Sequence, residues 1–582
     1  MSTATSQNNV LVAYDTMTYS SLVRVRYAEA VQERSQLEVR VSGETLSGQV
    51  EGIRRRAADL AADLSRAARR TSTIAQERAV LRMLGVDGLD REGHPLAAAL
   101  ADSYCGLDRG HLARGVLLPF VVAMMEYDCE PREVALDCAS GAIDLELEAE
   151  LLQRPDRLAA TEKRATELMA AVLKRFDANR TATRDLRDVL GQAPEPWLGV
   201  SLHSTEVKAA SAEVRAAVAD GADLIQVSVP ASREFAMARR RAGLGTPGLF
   251  EREAPARVRQ SRRGERGKVM QPARPAPEPI PAGSQRGLAV LRKAVDDASA
   301  QRRCYARMMT VTSAFAAPEQ AVVAAFERID YVTADPIREI VEDNLDPERA
   351  LADHSFAHRL QMRAGCSVVV GAGPLALGAD VASGIPSDSE TRAGRALALQ
   401  ALGVELALAD GLPADRLMLG AVPDWAVGDG DAGSILMAAW LRSLVFPAHR
   451  FVIGGSGNWL TSPGGSAAVV SALSGSAASL VVEPDLRGKV GVAAADLAAA
   501  ARAARAVRSM IGDGALHGPA VELAERTLKA ANAALARLAS EGWGSLLGPD
   551  ARGVDGERLG RSAVVERADE SGSSERLLRT LL

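Results

Sequence analysis

The sequence predicts an α/β chain built as a (β/α)8 TIM barrel with N-terminal and C-terminal helical accessory regions. Three observations lead there: eight short apolar runs between Leu198 and Glu483, helical patterns between most of them, and long 3.6-period stretches before and after. Runs that are apolar on both faces and joined by helical crossovers read as parallel strands, because parallel pairing needs a long connection and buries both faces of the sheet. Eight of them suffice to close a barrel. An open doubly wound sheet is the alternative arrangement of the same elements.

The elements follow in order. From Glu29 to about Gln192 the text is helical, with apolar residues three and four apart in stretches such as Ile53 to Leu60, so residues 1–196 form an N-terminal helical region. After Pro194 and Pro196 the period changes. The strand-type runs are Leu198 to His203, Leu224 to Val229, Ala306 to Thr312, Ile329 to Thr333, Cys366 to Val370, Arg416 to Val422, Arg450 to Ile453 and Leu480 to Glu483. Helical patterns at Val207 to Ala219, Pro318 to Glu327, Glu390 to Ala409 and Ala432 to Leu444 lie between them, giving a barrel over residues 197–486. A Pro/Arg-rich insertion at 239–286 interrupts it after the second run, and its clusters Arg239 to Arg241 and Arg262-Arg263 read as a solvated linker. Residues 487–582 are a C-terminal helical region (Ala493 to Met510, Val521 to Leu538) with the polar tail Ala568 to Ser574.

Composition narrows the function. A chain of 582 residues, 47% hydrophobic and 25% charged, with net charge -5, carries no overall electrostatic footprint for nucleic acid or an anionic membrane. No run reaches the ~18 apolar residues a membrane helix needs, and the start is polar, so a cytoplasmic protein is expected. The five cysteines (Cys105, Cys129, Cys138, Cys304, Cys366) form no CxxC pair and read as small buried apolar residues. His354 and His358 stand four apart on one helix face, but without the glutamate of HExxH they read as a structural or surface pair, and no metal is expected.

A barrel places its chemistry at the carboxyl ends of its strands. That rule selects His203, Ser204, Ser228, Thr312, Ser313, Asp335, Gly371 to Gly373, Pro423, Asp424, Gly454 to Gly457, Glu483 and Asp485. Such a rim, small and hydroxylic with few carboxylates, suits a bulky cofactor better than a metal. The run Gly454-Gly455-Ser456-Gly457 follows the seventh strand, where barrels often bind phosphate through backbone N–H groups; a tight strand-to-helix turn accounts for the same glycines. No histidine stands in a DxHxxG context and no lysine falls at a strand end, so neither a cobalamin ligand nor a PLP lysine is found in this chain.

Gln76 to Asp90 (QERAVLRMLGVDGLD), followed by His94-Pro95-Leu96, resembles the "ERAVxRLLGIDGVD…PLxN" opening of the lysine 5,6-aminomutase α subunit family. Glu130 to Val134 and Gly141 to Leu145 resemble its "TPQEIAxxxxxGELDL" block. Ser313 to Glu319 resembles "SGLCMPE", Glu327 to Asp330 resembles "ERLD", and Arg526 to Leu538 with Gly553-Val554 resembles the family's C-terminal helix and tail.

This resemblance implies an isomerase component: a barrel subunit of a hetero-oligomer in lysine metabolism, performing a radical 1,2-amino shift on lysine or a related amino acid. It implies adenosylcobalamin and PLP as cofactors, shared with or held mainly by a smaller β-like subunit that has the Rossmann cobalamin domain and the PLP lysine. Several family positions differ. The family's "RTTGQS" strand end reads Ser228-Val229-Pro230-Ala231-Ser232-Arg233, its PLP-stacking tyrosine corresponds to Arg338, and its "TGEDN" becomes Val370 to Pro374. Its "KYMPPTK" becomes Arg450 to Ser456, while Ser313 and Asp335 keep their chemistry. The candidate residues are therefore Asp335 and Ser313 as catalytic groups, Ser313 with Gly454, Gly455, Ser456 and Gly457 as cofactor-binding, and His203 and Arg338 as substrate-binding. A catalytically degenerate paralogue, serving as scaffold or reactivation partner of an aminomutase, remains the alternative, and an unrelated barrel enzyme binding phosphate at Gly454 to Gly457 is a third.

Overall fold

A computed structural model of the chain describes residues 43–88, 95–106, 108–195, 197–202, 204–229, 282–312, 314–371, 389–420, 441–442, 444–447, 450–454, 478–481, 519–543, 559 and 564–566. The chain opens with α1 (Gly43–Ala68), a short β1 (Thr71–Thr73) and α2 (Ile74–Met83). Then come α3 (Leu96–Cys105), α4 (Arg109–Arg114), α5 (Leu117–Tyr127), α6 (Pro131–Ser140), α7 (Leu145–Glu150) and the 36-residue α8 (Pro155–Leu190). Local sequence sets these ends. The Thr73 hydroxyl accepts from Gln76 N–H to start α2, and Glu130 and Glu133 form a capping box around Pro131 at the start of α6.

The barrel follows. Its strands are β2 (Trp197–Ser201), β3 (Leu224–Ser228), β4 (Arg307–Val311), β5 (Tyr331–Thr333), β6 (Ser367–Val370), β7 (Leu417–Leu419), β8 (Arg450–Gly454) and β9 (Ala478–Val481). They pair in sequence order, all parallel, and β9 pairs with β2 to close the barrel. All eight apolar runs of the sequence are strands of this barrel. The open-sheet alternative is excluded by the β2–β9 pairing, with Leu198 opposite Ser479 and Gly199 opposite Leu480.

Among the described residues the connecting helices are α9 (Val207–Ala219), α10 (Gln285–Arg302), α11 (Ala317–Glu327), α12 (Pro336–Glu342), α13 (Pro347–Ala364) and α14 (Ser389–Ala409). The helix expected at Ala432 to Leu444 lies mostly outside the described residues, as do Ala493 to Met510 and the arginine clusters of the insertion. The C-terminal α15 (Pro519–Glu541) packs with α1 against α14, burying Leu528, Ala531 and Leu535 in the same core as Ile53 and Ala57. One feature departs from the all-helical reading of both ends: β1 pairs antiparallel with β10 (Val564–Glu566), joining the accessory regions. Three-residue strands carry too little periodicity to register in a pattern search.

Strand alternation separates two apolar layers. Ile225, Val227, Met308, Val332, Val368, Val370, Leu417 and Leu419 face the surrounding helices. Trp197, Leu224, Met309, Tyr331, Val369 and Met418 fill the barrel interior. The amino-terminal end of the barrel is sealed by charge. The Arg307 guanidinium stacks 3.6 Å from the Trp197 ring centroid, and buried Asp330 accepts from Arg187, from Arg292 at 3.0 Å, from Tyr305 Oη at 2.7 Å and from Met308 N–H at 2.8 Å. Burial would raise the Asp330 carboxyl, but the two guanidiniums and the hydrogen bonds hold it below its usual range. No helix among the described residues is long and apolar enough to cross a membrane.

Candidate functional site

The interior residues set the parity of the barrel mouth. Side chains repeat every second residue along a strand, so the positions above Trp197, Leu224, Met309, Tyr331, Val369 and Met418 face the same lumen nearer the carboxyl ends. They are Gly199 and Ser201 on β2, Gln226 and Ser228 on β3, Val311 on β4 and Thr333 on β5, with Gly420 just past β7. Gln226 Nε2 donates to Ser201 Oγ at 3.1 Å, and Ser228 is exposed. Among these described positions none is ionisable. The described part of the mouth is a neutral cup of hydroxyl and amide groups, left open on two strands by glycine.

Around this cup stands a charged rim. Asp335 follows β5 and caps α12: its Oδ1 accepts from Ile337 N–H at 2.9 Å and Arg338 N–H at 3.3 Å, and its Oδ2 accepts from Gly371 N–H at 2.7 Å. The carboxylate is 4% exposed and spent on backbone donors. Its Oδ1 lies 3.6 Å from where a Cβ on Gly403 of α14 would stand, so it points toward the helical layer rather than into the lumen. Three residues on, the Arg338 guanidinium reaches back over the rim, donating to the Thr312 carbonyl at the end of β4 at 3.3 Å, with Asp343 Oδ2 3.8 Å away. Gly371 is held at φ +70, and a side chain there would meet the Gln400 amide.

Of the other sequence-selected residues, Gly454 ends β8, while His203, Ser313, Gly455, Ser456 and Gly457 lie outside the described residues. The structure therefore brings Asp335 and Arg338 together on one short helix and gives them different surroundings. Sequence reading missed Ser201, Gln226 and Thr333. Their signal was parity, each lying two or four residues beyond a large buried side chain of the same strand. His354 and His358 are a buried pair on α13, and no group of three or more His, Cys, Asp or Glu side chains among the described residues is arranged for a metal ion. Cys105 and Cys366 are buried as expected, but Cys129, Cys138 and Cys304 are only half-buried.

The family profile described as the D-lysine 5,6-aminomutase TIM-barrel domain of alpha subunit matches residues 45–233 and 282–425, more than half of the chain. The chain belongs to this family. The lysine 5,6-aminomutase alpha subunit of Fusobacterium nucleatum is 25% identical over 374 residues, 64% of this chain and 64% of that protein. That of Acetoanaerobium sticklandii is 23% identical over 371 residues, 64% of this chain and 63% of that protein. The alignments thus span just under two thirds of either relative. A Yersinia pestis DHPS structure aligns at a TM-score of only 0.30 with 15% identity, covering 55% of this chain and 95% of that one. For this lysine 5,6-aminomutase-type barrel, the unmatched gap at 234–281 coincides with most of the Pro/Arg-rich insertion. The two matched segments carry the N-terminal accessory helices and the strands from β2 to β7.

Proposed function

We propose that this chain is the α-subunit-like TIM-barrel component of an adenosylcobalamin- and PLP-dependent aminomutase acting on lysine or a related amino acid. The observation that carries the reading is the family match running through the N-terminal accessory helices and the first six barrel strands together, over a mouth of neutral hydrogen-bonding groups. The cofactors, shared with or held mainly by a β-like subunit with a Rossmann cobalamin domain and the PLP lysine, would supply the radical and the carbon–nitrogen chemistry. The mouth fits such a group: Gly199 and Gly420 leave room for a bulky ring, and Ser201, Gln226, Ser228 and Thr333 offer hydroxyl and amide contacts.

Each residue has a task in this scheme. Arg338, whose guanidinium reaches the Thr312 carbonyl at the end of β4, orients a substrate carboxylate by charge-assisted hydrogen bonding. Asp335 keeps Arg338 in place by capping its helix, a positioning role rather than proton transfer, because its oxygens are engaged by three backbone N–H groups. We further assign His203 to substrate, and Ser313 with Gly454, Gly455, Ser456 and Gly457 to cofactor contact. Shape and orientation are what such a barrel contributes, by holding reactants in one geometry and excluding water.

A second reading has its own observation. None of the inward strand positions described above the apolar layer is ionisable, which suits a catalytically degenerate paralogue kept as scaffold or reactivation partner. Reconstitution separates them. The chain, its co-purifying partner, adenosylcobalamin and PLP should convert lysine or ornithine to an amino-shifted isomer detectable by NMR. The scaffold reading requires no product here, yet product when an established α subunit replaces this chain on the same partner.

A further inference from the structure

Behind the Arg338 helix lies a row of polar groups that the proposed reaction does not use. His354, His358 and Gln361 recur at helical spacing on one face of α13, and Glu339 approaches them from α12. All four are at most 1% exposed. Glu339 Oε1 stands 3.1 Å from His354 Nε2, and the two imidazole rings are 6.0 Å apart. His358 Nδ1 lies 2.9 Å from Asp410 Oδ2, whose other oxygen accepts from Ser65 and Ser355 hydroxyls. Beyond the Glu339–His354 approach, Glu339 Oε2, His354 Nδ1, His358 Nε2 and both amide atoms of Gln361 have no hydrogen-bond partner among the described residues.

Native interiors leave few buried polar atoms unsatisfied, and five on one short face call for a ligand. The donor set defines it. Burial pushes the Glu339 carboxyl up to about 8 and His354 down to about 3, so at neutral pH both are uncharged and the acid O–H can donate to His354 Nε2. Gln361 offers an amide N–H2 donor group and a carbonyl acceptor, and His358 Nε2, opposite an Nδ1 held by Asp410, is left to donate or accept. A set that mixes donors and acceptors in this way matches water better than an anion or a metal ion. Nearby charges are already engaged: Arg349 with Asp353 at 3.2 Å, Asp335 in its cap, Arg338 at the rim, and Asp410 with His358.

We propose that Glu339, His354, His358 and Gln361 line an internal site that binds a short row of water molecules and holds one proton between Glu339 and His354. Each water would satisfy two or three of the orphaned atoms. The site sits one residue from Arg338, on the short helix that carries it to the rim of the mouth.

Crystallography of the full chain at high resolution, with infrared difference spectra of wild type against Glu339→Gln at pH 7, tests this. Expected are ordered waters within hydrogen-bond distance of His358 Nε2 and the Gln361 amide, and a protonated-carboxyl band that Glu339→Gln removes. Gln361→Met should lower Tm by removing a water ligand. Direct side-chain pairing without water density, absence of the band, or a Tm raised by Gln361→Met would each overturn the proposal. The last outcome would mean a dry interior relieved of an unsatisfied amide.

Discussion

Asp335 Oδ2 accepts the Gly371 backbone N–H at 2.7 Å, so one carboxylate ties the turn after β5 to the turn after β6 while its other oxygen starts the helix that carries Arg338. The mouth's only described rim cation with a side chain reaching the end of β4 therefore depends on a cap, and the cap depends on the neighbouring strand.

Asp335→Ala should cost about 2 to 3 kcal/mol, combining a lost N-cap with an unsatisfied buried Gly371 N–H. Urea denaturation measures it. A loss below about 0.5 kcal/mol would show that the three hydrogen bonds add nothing beyond solvent.

Gly371→Ala should destabilise by about 1 to 3 kcal/mol, because the left-handed backbone is costly for a side chain and the new Cβ meets the Gln400 amide. The double variant with Gln400→Ala should recover only the steric share. Full recovery would mean the backbone carries no strain.

The Glu339–His354 pair makes opposite contributions to the stability profile. For Glu339 the folded pKa is raised from 4.5 to about 8, so its contribution is present below pH 4.5 and lost as pH rises to about 8. For His354 it is lowered from 6.5 to about 3, so stability is lost as pH falls from 6.5 to about 3. The two slopes oppose each other between 4.5 and 6.5. The unfolding free energy should therefore decline from pH 6.5 to 8 with a limiting slope of about 1.4 kcal/mol per unit per proton, and Glu339→Gln should flatten that limb. An unchanged alkaline limb in Glu339→Gln would assign it to another group.

Asp330→Ala at the opposite end of the barrel should cost about 3 to 5 kcal/mol, leaving the buried Arg292 and the half-buried Arg187 without their shared carboxylate. Ligand binding at the mouth should be unaffected at temperatures where the variant is folded. A binding defect larger than the loss of folded protein would place this end in contact with the site.

The barrel was legible in the sequence because strands buried on both faces leave uninterrupted apolar runs. Leu224 to Val229 and Cys366 to Val370 differ from the observed strands by only a residue at either end. The last strand begins at Ala478, two residues before the run Leu480 to Glu483, since Ala and Ser are weak strand signals. The site was less legible. Asp335 was found as a strand-end carboxylate, but its engagement depends on Gly371, 36 residues away. Ser201 and Gln226 were passed over because a neutral hydroxyl and amide mark no chemistry until strand parity turns them inward. Glu339 reads as an ordinary helix position, and only the packing of α12 on α13 puts it beside His354. The same packing corrects the surface option for His354 and His358, which are wholly buried.

Electron paramagnetic resonance is the most direct test of the proposed role. The chain is mixed with its co-purifying partner, adenosylcobalamin and PLP, then examined before and after lysine or ornithine is added. The account predicts a substrate-dependent cob(II)alamin and organic radical signal, weakened when Arg338→Met removes the rim cation without altering the Asp335 cap. No signal under conditions where an established α subunit produces one with the same partner would contradict it, and would leave this barrel an assembly or reactivation component.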